Sequence, residues 1–230
     1  KHVAYVLATR GEAGIDTLPP DRAGPLRVRE QVAAAAVVGV DHVEFLDHAD
    51  GVVEPGLPLR RDLAAALRRH RPDVVITGNH RETFPGGYLN MADHRIVGQA
   101  VIDAVRDAAN RWVFRDLDLE PWDGVRFVAV SGSPRAGHAV DITDTFALGV
   151  ASLREHRAYL EGLGDHPMAD PDIVRDWLEL AGRHLAGAAA SRRSHRSRPG
   201  DADGGAGGDA RPAQQAQQYL ARHRIVTGPV

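Results

Sequence analysis

The strongest constraint on this chain is a repeated alternation of short β-rich apolar runs with helical stripes. Val3–Ala8, Val43–Leu46 and Val74–Thr77 are each only a few residues long and bounded by turn residues. Between them, Arg27–Val38 reads as a helix stopped by Gly39. Leu59–His70 places Leu63, Ala66, Leu67 and His70 at helical spacing and ends before Pro72. Asp93–Ala109 follows, with Ile96, Val97, Ala100, Val101, Ala104, Val105 and Ala108 on one stripe. Strands separated by helices predict right-handed βαβ crossovers and a parallel sheet. Val125–Val130 and Ala139–Ile142 are expected to add strands, and Thr145–Gly162 a helix. The pattern predicts an α/β three-layer sandwich with Rossmann-like winding and a mostly parallel sheet.

Composition narrows the function classes. The 230 residues carry a net charge of −3, which removes the global basic field of a nucleic-acid binder. Cysteine is absent, so disulfide frameworks, thiolate metal sites and cysteine nucleophiles are excluded. Any metal must be held by His, Asp or Glu. No apolar run reaches the roughly 18–20 residues of a membrane span. No signal peptide opens the sequence, so a cytoplasmic location is expected. The stretch 187–230 is rich in Ala, Gly, Ser and Arg and is expected to be a disordered tail, with a short helix around Gln214–His223. Its cluster Arg192, Arg193, Arg196 and Arg198 lacks interleaved aromatic residues and reads as solvated. Residues 1–186 form the expected folded domain.

In a doubly wound sheet the site lies beyond the carboxyl ends of the strands. That rule selects Thr9–Gly14, Asp47–Gly51 and Thr77–His94. The first lacks the glycine spacing of a dinucleotide turn. The second reads locally as an Asp-Gly turn. The third is long for a βα connection and ends in Asp93-His94 at the start of a helix. There Asp93 is placed to cap the helix, and His94 is placed to face the crevice as a metal ligand or acid/base group. Arg27 and Glu30, one turn apart, read as a surface ion pair. Trp112 and Trp122 read as packing residues rather than as a sugar platform.

Taken together, the motifs are more specific. Thr9-Arg10-Gly11-Glu12-Ala13-Gly14 follows a strand, and Arg27-x-x-Glu30 opens an Ala-rich helix ending at Gly39. Val43-Glu44-Phe45-Leu46 leads to Asp50-Gly51, Arg71-Pro72-Asp73 opens the next strand, and Asp93-His94-Arg95-x-x-Gly98 closes the series. In this order they resemble the PIG-L (LmbE-like) zinc N-deacetylases, over roughly residues 1–165. The resemblance implies a hydrolase that removes acetyl from an N-acetylglucosamine-type amide, with a small N-acetyl sugar conjugate as substrate. It implies that His94 is the distal Zn2+ ligand and Asp93 the carboxylate that tunes the site. It also implies that Arg27 and Asp50 contact the sugar. Asn90 is placed to donate to an oxyanion, as amides do elsewhere. A zinc ion with three protein ligands lowers the pKa of its water to about 7, and a carboxylate moves the proton.

The family's His-Pro-Asp-Asp-Glu segment, source of the other zinc ligands and the general base, does not occur in these residues. The resemblance places it upstream of Lys1, with the first strand-helix segment. The chain as given is therefore expected to be inactive and unstable, with an exposed sheet edge. Two other readings stand beside this one. A nucleotide-sugar or nicotinamide-binding protein would need a glycine fingerprint after the first strand. A decayed deacetylase fold could serve as a non-catalytic module that binds glycans or a partner.

Overall fold

The computed structural model describes residues 2–173. Four parallel-type strands alternate with helices: β1 (Ala4–Leu7), α1 (Pro20–Val37), β2 (His42–Phe45), α2 (Leu57–His70), β3 (Val74–Thr77), α3 (Ala92–Ala109) and β4 (Phe127–Val130). Two short helices follow, α4 (Phe146–Arg154) and α5 (Arg157–Gly162). The α/β architecture with parallel strands read from the alternation is present. The tail 187–230, its short helix and its arginine cluster lie outside the described residues.

Three elements differ from the sequence reading. Helix α1 starts at Pro20, about two turns before Arg27, because Pro20 is pre-set for the first helical position and Asp21 favours the first turn. Pro25 is accommodated inside it. Residues 139–142 form no strand, and the long C-terminal helix is split at Glu155-His156. His156 leaves helical geometry there, at φ −80° and ψ 53°, and its ring becomes buried. Glu30 then accepts a 2.6 Å hydrogen bond from the Ala158 N–H, so a carboxylate on α1 satisfies an open amide at the start of α5.

The sheet is also not one continuous ladder. β1 pairs in parallel with β2, Ala4 opposite His42 through Leu7 opposite Phe45. β3 pairs in parallel with β4, Val74 opposite Phe127 through Thr77 opposite Val130. Among the described residues the two pairs are separate sheets, so β1 and β3 are each hydrogen-bonded along one edge.

What joins them is a shared hydrophobic core. Leu59, Leu63 and Leu67 of α2 pack with Ala100, Ala104 and Ala108 of α3, and Val6 of β1 and Val75 of β3 rest on the same cluster. Small residues on α3 let the two helices approach closely, and Leu59 is fully buried. At the far end, Arg68 is 5% exposed although it carries a charge. Its guanidinium donates to the carbonyls of Asp107 (3.2 Å), Ala108 (3.2 Å), Asn110 (2.9 Å), Val113 (2.9 Å) and Phe114 (3.3 Å). These are the open carbonyls at the C-terminus of α3 and in the turn beyond it. Arg60 adds a two-pronged pair to Asp107 at 2.9 and 2.8 Å.

Replacing Arg68 with Met leaves those carbonyls without a buried donor. The expected loss is about 2–4 kcal/mol in urea denaturation. Arg61→Met, which removes a pair to the exposed Asp116, should leave the urea midpoint nearly unchanged. Equal effects of the two substitutions would refute the assigned role of Arg68.

Candidate functional site

The three loops selected by the strand-end rule come together, and carboxylates join them. Asp50 accepts from Thr9 Oγ1 at 2.9 Å and from the Ala13 N–H at 3.0 Å. Glu12 reciprocates, accepting from the Asp50 N–H at 2.9 Å and from the Arg10 N–H at 3.1 Å. Asp93 accepts from the Gly51 N–H at 2.7 Å and the Val53 N–H at 3.1 Å. The loops after β1 and β2 are thus clasped to each other and to the first turn of α3.

The loop after β3 is organised by two buried amides. Asn79 donates to the Thr83 carbonyl at 2.8 Å and accepts from the Arg81 N–H at 3.0 Å. Asn90 donates to the carbonyls of Asn79 at 2.5 Å and Arg81 at 3.0 Å. Its remaining oxygen faces His94 Nδ1 at 3.2 Å. With Nδ1–H donating to that oxygen, Nε2 of His94 carries the lone pair. Burial lowers the His94 pKa below its usual value, against the opposing pull of Asp93 and Asp50. The imidazole is therefore neutral at pH 7. Helix α3 can lie this close to the loop because residue 98 is glycine: a Cβ there would stand 2.8 Å from the Gly78 carbonyl.

Arg27 occupies the other side of the first loop. Its Nη1 donates to Glu30 Oε2 at 3.3 Å and contacts His156 Nδ1 at 3.2 Å. The guanidinium lies 4.1 Å from the Tyr159 ring centroid. Its buried Nε has no hydrogen-bond partner among the described residues and faces Gly11, where a Cβ would stand only 3.1 Å away. Gly11 also has φ +69°, so glycine suits the position twice over. The Arg27–Glu30 pair is partly buried, with Glu30 the more enclosed, rather than on the open surface.

The structure therefore brings His94, Asn90, Asp93 and Asp50 into one cluster, with Arg27 across the first loop. Their contacts give several of them work different from that read in the sequence. Asp93 makes no cap bond; Met91 holds the N-cap position, and the Asp93 carboxylate is occupied by the loop after β2. Asn90 has both amide hydrogens engaged by carbonyls and positions His94. Trp122 donates to the Pro72 carbonyl at 2.9 Å, before β3, at the end of the strands away from the cluster. Sequence reasoning missed Thr9, Glu12, Asn79, His156 and Tyr159. Only the first three sit in segments that the strand-end rule had already selected.

As a metal site this set is incomplete. Within this set His94 Nε2 is the open nitrogen, while Asp50 and Asp93 each hold two loop groups; in the same loop, His80 Nδ1 is buried without a hydrogen-bond partner among the described residues. No trio of ligand-type side chains gathers at His94 among the described residues. A zinc ion held by three protein ligands does not fit these residues alone.

Comparison with known proteins agrees with the fold. Residues 1–105 match the family described as PIG-L, GlcNAc-PI de-N-acetylase. Over this segment the chain is similar to the PIG-L family. A diacetylchitobiose deacetylase of Thermococcus kodakarensis is 26% identical over 166 residues, 68% of this chain and 58% of that protein. The N,N'-diacetylchitobiose deacetylase structure from Pyrococcus horikoshii superposes with a TM-score of 0.62 at 26% identity, covering 69% of this chain and 60% of that one. A conserved protein of Thermus thermophilus gives 0.60 at 24% identity, over 77% and 74% of the two chains. A 4-carboxy-2-hydroxymuconate hydratase from Pseudomonas putida gives 0.53 at 17%, over 87% and 80%. The chain thus spans less than two thirds of the length of the two deacetylases. The matched segment contains every residue of the cluster up to His94, whereas His156 and Tyr159 lie beyond it.

Two histidines, His156 buried and His80 partly buried, give this region a pH signature. Burial lowers the pKa of His156, with Arg27 adding to the effect against Glu30 and Glu155. Burial, then Arg81, lowers that of His80. Both are held neutral in the fold but protonate near pH 6.5 when unfolded. Their contribution is complete above that pH and is lost as pH falls through it. Urea midpoints are expected to drop between pH 7.5 and 5.5, and His156→Asn should flatten the drop. A midpoint equally pH-dependent in the variant would contradict this.

Proposed function

We propose that this chain carries the distal-histidine and loop half of a de-N-acetylase site acting on an N-acetyl sugar conjugate, with Zn2+ as the metal. The observation that carries the reading is His94: a neutral imidazole with Nδ1 held by Asn90 and Nε2 open, at the carboxyl ends of the strands. The PIG-L match over the segment containing it, and two relatives named as diacetylchitobiose deacetylases, support that chemistry. Fold alone does not select it, since the hydratase shares the architecture.

In this reading His94 offers one ligand nitrogen, and Asn90 fixes its ring. Asp93 and Asp50 hold the walls of the cleft, and Asp50 and Arg27 lie beside the sugar. The remaining ligands and the general base belong to a His-Pro-Asp-Asp-Glu segment that these 230 residues do not contain. Hydrolysis is not expected from these residues alone. The incomplete donor set gives a binding module without catalysis its own support as a second reading.

Acetate release from N-acetylglucosamine and diacetylchitobiose, measured beside zinc content, tests the proposal. The 230-residue chain should release none. A form extended upstream through a His-Pro-Asp-Asp-Glu segment should release acetate, and His94→Ala in that form should reduce kcat/KM by at least about 100-fold. An extended form that stays active without His94 would overturn the assignment. An extended form that binds sugar but never releases acetate would favour the binding module.

A further inference from the structure

A second cluster with metal-binding chemistry lies at the opposite end of the strands. β2 runs from His42 toward the loop Asp47–Gly51, so His42 marks the end remote from His94. His42 and Glu44 are two residues apart on a strand and point to the same face. His70 is the last residue of α2, which ends beside that face. The three side chains each bring one ligand atom within 4.8 Å of the others. His70 Nε2 lies 2.7 Å from Glu44 Oε2, and the His42 and His70 rings meet edge to face with centroids 4.8 Å apart. Glu44 Oε1 is held by Arg69.

We propose that His42, Glu44 and His70 form a binding site for one zinc-class divalent cation that fastens β2 to the C-terminus of α2. Two imidazoles and a carboxylate are a nitrogen-rich donor set that suits zinc and its late first-row neighbours better than magnesium or calcium. Three protein ligands leave a fourth position for water. Tetrahedral bonds of about 2.0–2.1 Å place ligand atoms about 3.3 Å apart. The present spacing reaches that with side-chain adjustments of an ångström or so: His70 and Glu44 separate slightly and His42 turns inward. His42 is exposed, so its ring is free to turn. The carbonyls that end α2 add a favourable field for a cation. Arg69 stays on the second carboxylate oxygen, orienting it while opposing the cation's charge. This places the site in a moderate rather than a tight affinity range. The site is independent of His94 and requires no part of the de-N-acetylase reading.

The test is zinc titration of the untagged, metal-stripped 230-residue chain carrying His94→Ala, by calorimetry and thermal shift at pH 7.5. One equivalent of Zn2+ is expected, with a rise in Tm, and Mg2+ at the same concentration should do neither. His42→Ala, on an exposed ring, should weaken binding by about 10–100-fold or more without altering the metal-free Tm. Glu44→Gln keeps a hydrogen-bond acceptor for Arg69 and should weaken binding comparably. The proposal is overturned if the His94→Ala chain binds no zinc. It is equally overturned if His42→Ala and Glu44→Gln bind zinc as their parent does.

Discussion

The placement of the candidate site depends on how α2 grips α3. Helix α3 is 18 residues long, about 27 Å, with His94 at one end and open carbonyls at the other. Arg68 closes that far end with hydrogen bonds to five carbonyl oxygens, and the Leu–Ala packing fixes the middle. A lever of that length turns a small tilt at the clamp into a large displacement at His94. Geometry at the histidine is therefore set by a residue on another helix, far from any substrate.

The loops are positioned on a different basis. Glu12, Asp50 and Asp93 all face the cleft, yet each satisfies backbone N–H groups of a neighbouring loop. Charged acceptors make the stronger hydrogen bonds, so this arrangement holds irregular backbone without regular secondary structure. It also explains why the carboxylates of this cluster are engaged while the imidazole nitrogen of His94 stays open.

The elements legible in the sequence were those set by local periodicity. The three apolar runs and the stripes of α2 and α3 appear where the pattern put them, because burial on one face dictates that pattern. The strand-end rule found the three loops that meet. Contacts across long separations were not legible. Asp93 looked like a helix cap because its partners, Gly51 and Val53, lie some 40 residues away. Arg68 reads as an exposed charge among basic neighbours, and only the tertiary fold shows that the end of α3 needs it. His156 meets Arg27 across 129 residues, and no local signal marks that meeting.

The separation of β1–β2 from β3–β4 bears on how the molecule yields to force or denaturant. In a continuous parallel sheet the ladder itself carries cooperativity from edge to edge. Here it stops between β1 and β3, and the two halves communicate through side chains on α2 and α3. Side-chain packing is short-ranged and loosens before a hydrogen-bonded ladder does, so the halves are built to part as two units along that seam. His94 sits on the unit with β3, while Asp50 and Arg27 sit on the unit with β1 and β2. The Asp93 clasp crosses the seam, so this carboxylate ties together both the mechanical weak point and the two halves of the cleft.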